Sequence, residues 1–160
     1  MTAEQAVNAT PHLNGKWNKG LQALRAIDKP HIRTSDTRAI TGSLDLDEAL
    51  MRLPEHSQVN RWDFAIGYKH EDRDAECLYW VELHTANASQ VNVVLKKLRW
   101  LLRWLSGNGK ALDKQNFERD FVWVSSGSTH YSLNSSQQRA FADLGLRQTG
   151  GRLTIPKNRG

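Results

Sequence analysis

The sequence predicts an α/β fold: a mixed central sheet flanked by helices, with a further helix and strand at the C-terminal end. Three stretches predict it. Two apolar runs, residues 61–68 and 76–84, are joined by the polar link Lys69-His70-Glu71-Asp72-Arg73-Asp74-Ala75. A link this short makes an antiparallel hairpin the natural reading. An amphipathic stretch from Ser89 to Leu105 follows, and after it comes a run rich in β-branched and aromatic residues at 120–125. Such side chains suit a pleated, half-buried strand.

Taken in order, residues 1–13 show no periodicity and are expected to be a flexible N-terminus. Asn14 is placed to cap a helix through about Ile27, with Trp17, Leu21 and Leu24 on one face and Pro30 closing it. A strand is expected near 39–46. A short helix at 48–53 then follows, capped by Asp45 or Asp47 and ended by Pro54. Beyond the hairpin, the helix from Ser89 stops at Ser106-Gly107-Asn108-Gly109. Ser135 and Gln138 have capping-box spacing for a helix to Leu144, stopped at Gly145. A short strand near 152–155 precedes a basic tail, 157–160. Residues 14–156 are thus read as one α/β domain.

With 160 residues the chain has enough length for a real core. No apolar run is long enough to span a membrane, and the N-terminus has no signal-peptide pattern. The single cysteine, Cys77, lies inside a predicted strand; it argues against a disulfide scaffold or cysteine-based zinc site and fits a reducing cytoplasm. The net charge of +5 is unevenly spread. Residues 1–38 carry six Lys/Arg against three Asp/Glu, residues 39–88 four against ten, and residues 89–160 twelve against four. An acidic middle followed by a basic second half suits a cation held next to a polyanion, whether DNA, RNA or another polyphosphate; a solvated surface of uneven charge is the other reading.

Side chains alternate along a strand. In residues 61–68, Trp62, Phe64, Ile66 and Tyr68 make one apolar face, while Asp63 shares the other with Ala65 and Gly67. In the second run, Glu82 lies with Leu78, Trp80 and His84, opposite Tyr79, Val81 and Leu83. If Tyr68 pairs with Cys77, Asp63 falls opposite Glu82, and facing side chains sit roughly 5 Å apart. Two carboxylates that close repel unless a cation or a shared proton intervenes. A Mg²⁺-type ion needs only one or two protein carboxylates. A one-residue slip in register would part the pair. Two other readings stand beside the metal site: Asp63 paired with Arg61 or a helix arginine, and Glu82 at an exposed sheet end.

Helix, strand, two-stranded hairpin, helix and strand resembles the αβββαβ core of the restriction-endonuclease-like fold. Asp63 followed by Glu82-Leu83-His84 resembles the PD-(D/E)XK signature of that nuclease superfamily, over roughly residues 14–125. The resemblance implies a nuclease, or a nucleic-acid-binding protein descended from one. It implies Asp63 and Glu82 as catalytic ligands of Mg²⁺ or Mn²⁺, with a metal-activated water attacking a phosphodiester. Trp62 stands where the motif has proline, and His84 where it has the lysine that positions the water and stabilises phosphate charge. An unperturbed histidine titrates near neutrality, so His84 would serve as base or ligand rather than permanent cation. Lys96 or Lys97 on the following helix offers an amine from another direction. An ordinary strand-end histidine is the other reading of His84.

On a helical wheel, Val91, Val94, Leu95, Leu98, Leu101, Leu102 and Leu105 gather on one side. Asn92, Lys96, Lys97, Arg99 and Arg103 gather on the other, as either a solvated face or a nucleic-acid phosphate track. Trp100 and Trp104 fall among the cations. They read as core packing, as a homodimer interface, or as stacking surfaces for bases. If the site has lost its chemistry, the chain is a protein-interaction or regulatory module that dimerises through this helix. His12, His31, His56, His70 and His130 show no metal-ligand spacing, and Ser125-Ser126-Gly127-Ser128-Thr129-His130 lacks the strand-to-helix nucleophile motif.

Overall fold

In chain order the elements are α1 (Ala3–Asn8), β1 (Ile32–Thr34), β2 (Ile40–Asp45), α2 (Leu46–Leu50), β3 (Phe64–Tyr68), β4 (Cys77–His84), α3 (Ala88–Ser106), β5 (Glu118–Ser125), α4 (Ser135–Leu144), β6 (Leu146–Thr149) and β7 (Leu153–Ile155). The structure, a computed structural model, describes residues 1–125 and 132–160. The stretch 126–130, considered above for a nucleophile, lies outside the described residues.

The hairpin closes as its link requires. Tyr68 faces Cys77, and the ladder runs through to Phe64 facing Val81. β2 adds antiparallel to the free edge of β3, and β5 adds parallel to β4 from Cys77–Glu118 to His84–Ser125. β6 extends the sheet, parallel to β5. The strand order is β2-β3-β4-β5-β6, with β3 alone running against the others. A mixed α/β sheet flanked by helices is therefore the architecture.

Both faces of this sheet are covered, by different means. Ala65, Leu78, Trp80, Phe121 and Trp123 pack under the helices, meeting Ala6 and Val7 of α1, Leu98 and Leu101 of α3 and Phe141 of α4. Phe64, Ile66, Tyr68, Tyr79, Val81, Val122 and Val124 pack instead against a two-stranded parallel ribbon of β1 and β7, through Ile32, Leu153 and Ile155, with Leu24 beside it. The alternation expected along β3 and β4 is observed within the strands. It fails at Trp62, which joins the helix-side core rather than the face of Phe64, because the strand begins only at Phe64.

Several expectations are corrected. The first thirteen residues are not loose: Thr2 and Gln5 form a capping box for α1, and Leu13 is fully buried. No helix forms over 14–27. Gly15 and Gly20 take positive φ values of 79° and 51°, which interrupt a right-handed helix. Asn18 instead bridges to Ser43, tying the segment to β2. The short helix after β2 starts at Leu46 with Asp45 as its cap, accepting from the Glu48 N–H at 3.0 Å. The cap of α4 is Asn134 with Gln137, one residue earlier than expected. The tail at 157–160 is docked: Asp72 accepts from the N–H groups of Arg159 (2.8 Å) and Gly160 (3.1 Å), and Arg159 lies over the Tyr79 ring. No helix among the described residues is long and apolar enough to cross a membrane.

The α4 cap gives a direct check. Asn134→Ala should lower stability by about 1 kcal/mol, whereas Ser135→Ala should change it by only a few tenths, as read from urea denaturation midpoints.

Candidate active site

Asp63 directly precedes β3, and Glu82 and His84 end β4, so all three lie at one end of the sheet. The hairpin register continues one step past Phe64–Val81 and sets Asp63 against Glu82, the arrangement the sequence predicts. A reciprocal exchange holds them. The Asp63 N–H donates to Glu82 Oε1 at 3.2 Å, and the Leu83 N–H donates to Asp63 Oδ2 at 2.9 Å. Each carboxylate thus keeps one oxygen on the opposing chain segment and one free to face α3.

What they face is Lys97. Its Nζ hydrogen-bonds Glu82 Oε2 and lies 3.7 Å from Asp63 Oδ1. Glu82 is wholly buried, and the side chains of Lys97 and Asp63 are 14% and 28% exposed. Lone carboxylates cannot be buried this deeply without compensation. Here one ammonium serves two acids. Burial, and next the neighbouring Glu82 carboxylate, push the Asp63 pKa up to about 7; Lys97 and the Leu83 N–H hold it back. Burial alone would lower the Lys97 pKa, but the two carboxylates more than reverse this and leave it above the usual lysine value.

His84 stands at the edge of the triad. Its Nδ1 is 3.5 Å from Glu82 Oε2, and its Nε2 is 2.5 Å from Gln90 Oε1. Both ring nitrogens therefore face oxygens that accept hydrogen bonds. The bond to Glu82 first raises the His84 pKa, burial opposes it, and Gln90 adds to the rise. The environment favours imidazolium, unlike the unperturbed histidine assumed from sequence. Backbone atoms fix the strand end as well, since Trp123 Nε1 donates to the His84 carbonyl at 3.0 Å.

The ion-pair reading of the acids holds with a different partner, Lys97 of α3 in place of an arginine. Arg61 pairs with Asp47 at 2.9 Å and donates to the His56 carbonyl, so it is not the partner of Asp63. Glu82 is not at an exposed sheet end. The predicted cationic face of α3 divides: Lys97 turns inward to the acids, while Lys96, Arg99 and Arg103 stay exposed. Trp100 and Trp104 are corrected from interface or base-stacking residues to core residues. They are 6% and 5% exposed, stack with ring centroids 6.3 Å apart, and meet His56 and Trp80 edge-on.

Gln90 is the site residue that the sequence reading missed. It lies seven residues before Lys97, hence on the same stripe of α3 two turns away, and that spacing is the signal that would have found it. A groove of about 310 Å³ opens beside Asp63, walled by Arg25, Asp28, Asp45, Asp47 and Glu48 among others. Among the described residues, no group of three or more His, Cys, Asp and Glu side chains is arranged to hold a metal ion. Compared with family models, curated proteins and solved structures, the chain matches none.

The buried triad makes two predictions. Asp63 titrates near 3.8 when unfolded and near 7 when folded, so the folded state holds a proton that the unfolded chain releases between those values. Stability should fall as pH rises from about 4 to about 7, by up to about 4 kcal/mol, and stay at the lower level above that. Asp63→Asn should lack this slope in thermal melts recorded across the range. Lys97→Met, which strands the buried Glu82 beside Asp63, should cost about 3–5 kcal/mol at pH 8 in the same melts.

Proposed function

We propose that this chain is a metal-dependent phosphodiesterase acting on nucleic acid, of the PD-(D/E)XK type. The observation that carries the reading is the convergence of Asp63, Glu82 and Lys97 at one end of the sheet. Two acids on adjacent strands and an amine are the chemical set which that motif assembles. Here the amine comes from α3, and His84 takes the position of the motif lysine. The strand order, with the first strand of the hairpin running against the rest, agrees with the βββαβ part of that core, without the helix expected over 14–27. The charge pattern agrees too, since Asp63 borders the acidic groove and the basic helix α3 reaches the acids through Lys97.

Asp63 and Glu82 would hold Mg²⁺ or Mn²⁺. Two carboxylates meet the protein's share of such a shell, which water and phosphate oxygens complete. When bound, the ion supplies Lewis-acid polarisation of the phosphate and a more acidic water. Asp63 suits this role because it borders the groove. Its proton affinity, raised by burial and by Glu82, marks a carboxylate short of positive compensation. The Lys97 ammonium stabilises negative charge developing on the phosphate oxygens, in a setting where burial strengthens it. His84, held by Glu82 and Gln90, is a proton donor at Nδ1 next to the same carboxylate. The buried, unpaired Cys77 thiol fits a reducing compartment such as the cytoplasm.

A second reading is favoured by Lys97 itself. By neutralising the two acids, it would stabilise a sheet that has kept the constellation and lost the reaction, leaving a nucleic-acid-binding or interaction module.

The test incubates the protein with plasmid, single-stranded DNA and RNA, with Mg²⁺, Mn²⁺ or EDTA. Cleavage should require the divalent ion, and Asp63→Asn, Glu82→Gln and Lys97→Met should each reduce it by about 10²-fold or more. Undiminished cleavage by an Asp63→Asn/Glu82→Gln double variant would exclude these residues. No cleavage of any substrate by the parent, with nucleic-acid binding retained, would favour the second reading.

A further inference from the structure

We infer that the exposed face of α3 is a track for a nucleic-acid backbone, formed by Lys96, Arg99 and Arg103 and continued by Lys110 and Lys114 at the end of the helix. The inference deepens the reading above by assigning the surface along which its polyanionic substrate would lie.

The helix is unusual in its charge. Over Ala88–Ser106 it contains four Lys/Arg and no Asp or Glu. Only Lys97 has carboxylate partners, the two at the site. The side chains of Lys96, Arg99 and Arg103 are exposed and form no hydrogen bond or ion pair among the described residues. Their spacings of three and four put them on one ridge, where like charges repel and cost each pair a few tenths of a kcal/mol. A helix face that serves only for solubility usually interleaves both signs. This one does not.

Position adds to charge. Lys96 adjoins Lys97 in the chain, so the ridge begins at the same level along α3 as the candidate site, about 100° round the axis from Lys97. Arg103 lies about 10 Å further along the axis, at 1.5 Å per residue. Beyond it a pocket of about 700 Å³ is lined by Leu102, Ser106, Lys110 and Lys114, with Asp113 and Arg119 paired to one another. The two lysines are exposed and have no carboxylate partner among the described residues. A row of cations at such intervals follows a phosphate backbone and gives affinity without reading bases. Trp100 and Trp104 are buried, so base stacking has no part, and binding should depend on salt and little on sequence.

The experiment measures fluorescence anisotropy of short labelled single-stranded and duplex oligonucleotides in EDTA, at about 50 to 200 mM salt. Lys96→Gln/Arg99→Gln/Arg103→Gln is compared with the charge-matched Lys29→Gln/Arg33→Gln/Arg38→Gln, whose side chains lie on or next to the ribbon side of the sheet. The α3 variant should bind about 10- to 100-fold more weakly and lose roughly 0.7–0.9 from the salt slope for each phosphate contact removed. The ribbon-side variant should bind like the parent, and both should keep the parent melting temperature. Equal losses in the two variants, an unchanged salt slope in the α3 variant, or no binding by the parent would each overturn the track. Cleavage is scored separately. A parent that cuts DNA while the α3 variant binds normally defeats the track alone, and a parent that binds through α3 but never cuts defeats the nuclease reading alone.

Discussion

One ammonium set against two carboxylates is the constraint on which this molecule's site depends. Asp63 and Glu82 are brought together by a ladder they do not control, because the pairing of β3 with β4 is decided by a short link and two apolar faces. Left alone, the pair would be costly to bury. Lys97 hydrogen-bonds the fully enclosed Glu82 and lies farther from Asp63, whose burial beside Glu82 pushes its pKa up to about 7. A carboxylate kept in so poor an environment contributes little to folding, and strained electrostatics of this kind tend to gather where a protein does chemistry.

The rest of the fold positions that end of the sheet. β4 is paired on both edges and packed on both faces, so the backbone around Glu82 has little freedom. α3 returns across the helix-side face, anchored by its leucines and by Trp100 and Trp104. Its rigidity lets Gln90 and Lys97, two turns apart, address His84 and Glu82 together. Among the described residues the opposite face has no α-helix of its own and is closed by the β1–β7 ribbon. That economical cover joins the segment before β2 to the last strand of the chain.

Charge is sorted by the same architecture. The acidic middle of the chain supplies the groove walls around Asp63 through Asp45, Asp47 and Glu48, with Asp28 added from the first segment, while the basic second half supplies the α3 ridge. They adjoin where Asp63, on the groove, lies 3.7 Å from Lys97 of α3. A cation drawn to one side and a phosphate chain drawn to the other would come together at the acids, and this arrangement ties the proposed chemistry to the proposed binding surface.

Much of this could be read from local pattern. Alternation in 61–68 and 76–84, the seven-residue link and the leucine stripe of α3 specify the hairpin, its register and the helix, because each depends on residues close in the chain. The opposition of Asp63 and Glu82 followed from register alone. Other features depended on distant partners. Gly15 and Gly20 let 14–27 follow β2 instead of coiling, and β1 pairs with β7 across more than a hundred residues, so neither reads as a local signal. The tryptophans of α3 lie beside cations on the wheel, yet the loop carrying His56 and the indole of Trp80 enclose them. Lys97 and Lys96 are neighbours of one type, and nothing in their order distinguishes them. Only the packing of α3 on the sheet turned one towards the buried acids and left the other in water, because a helix's facing is decided by the surface it covers.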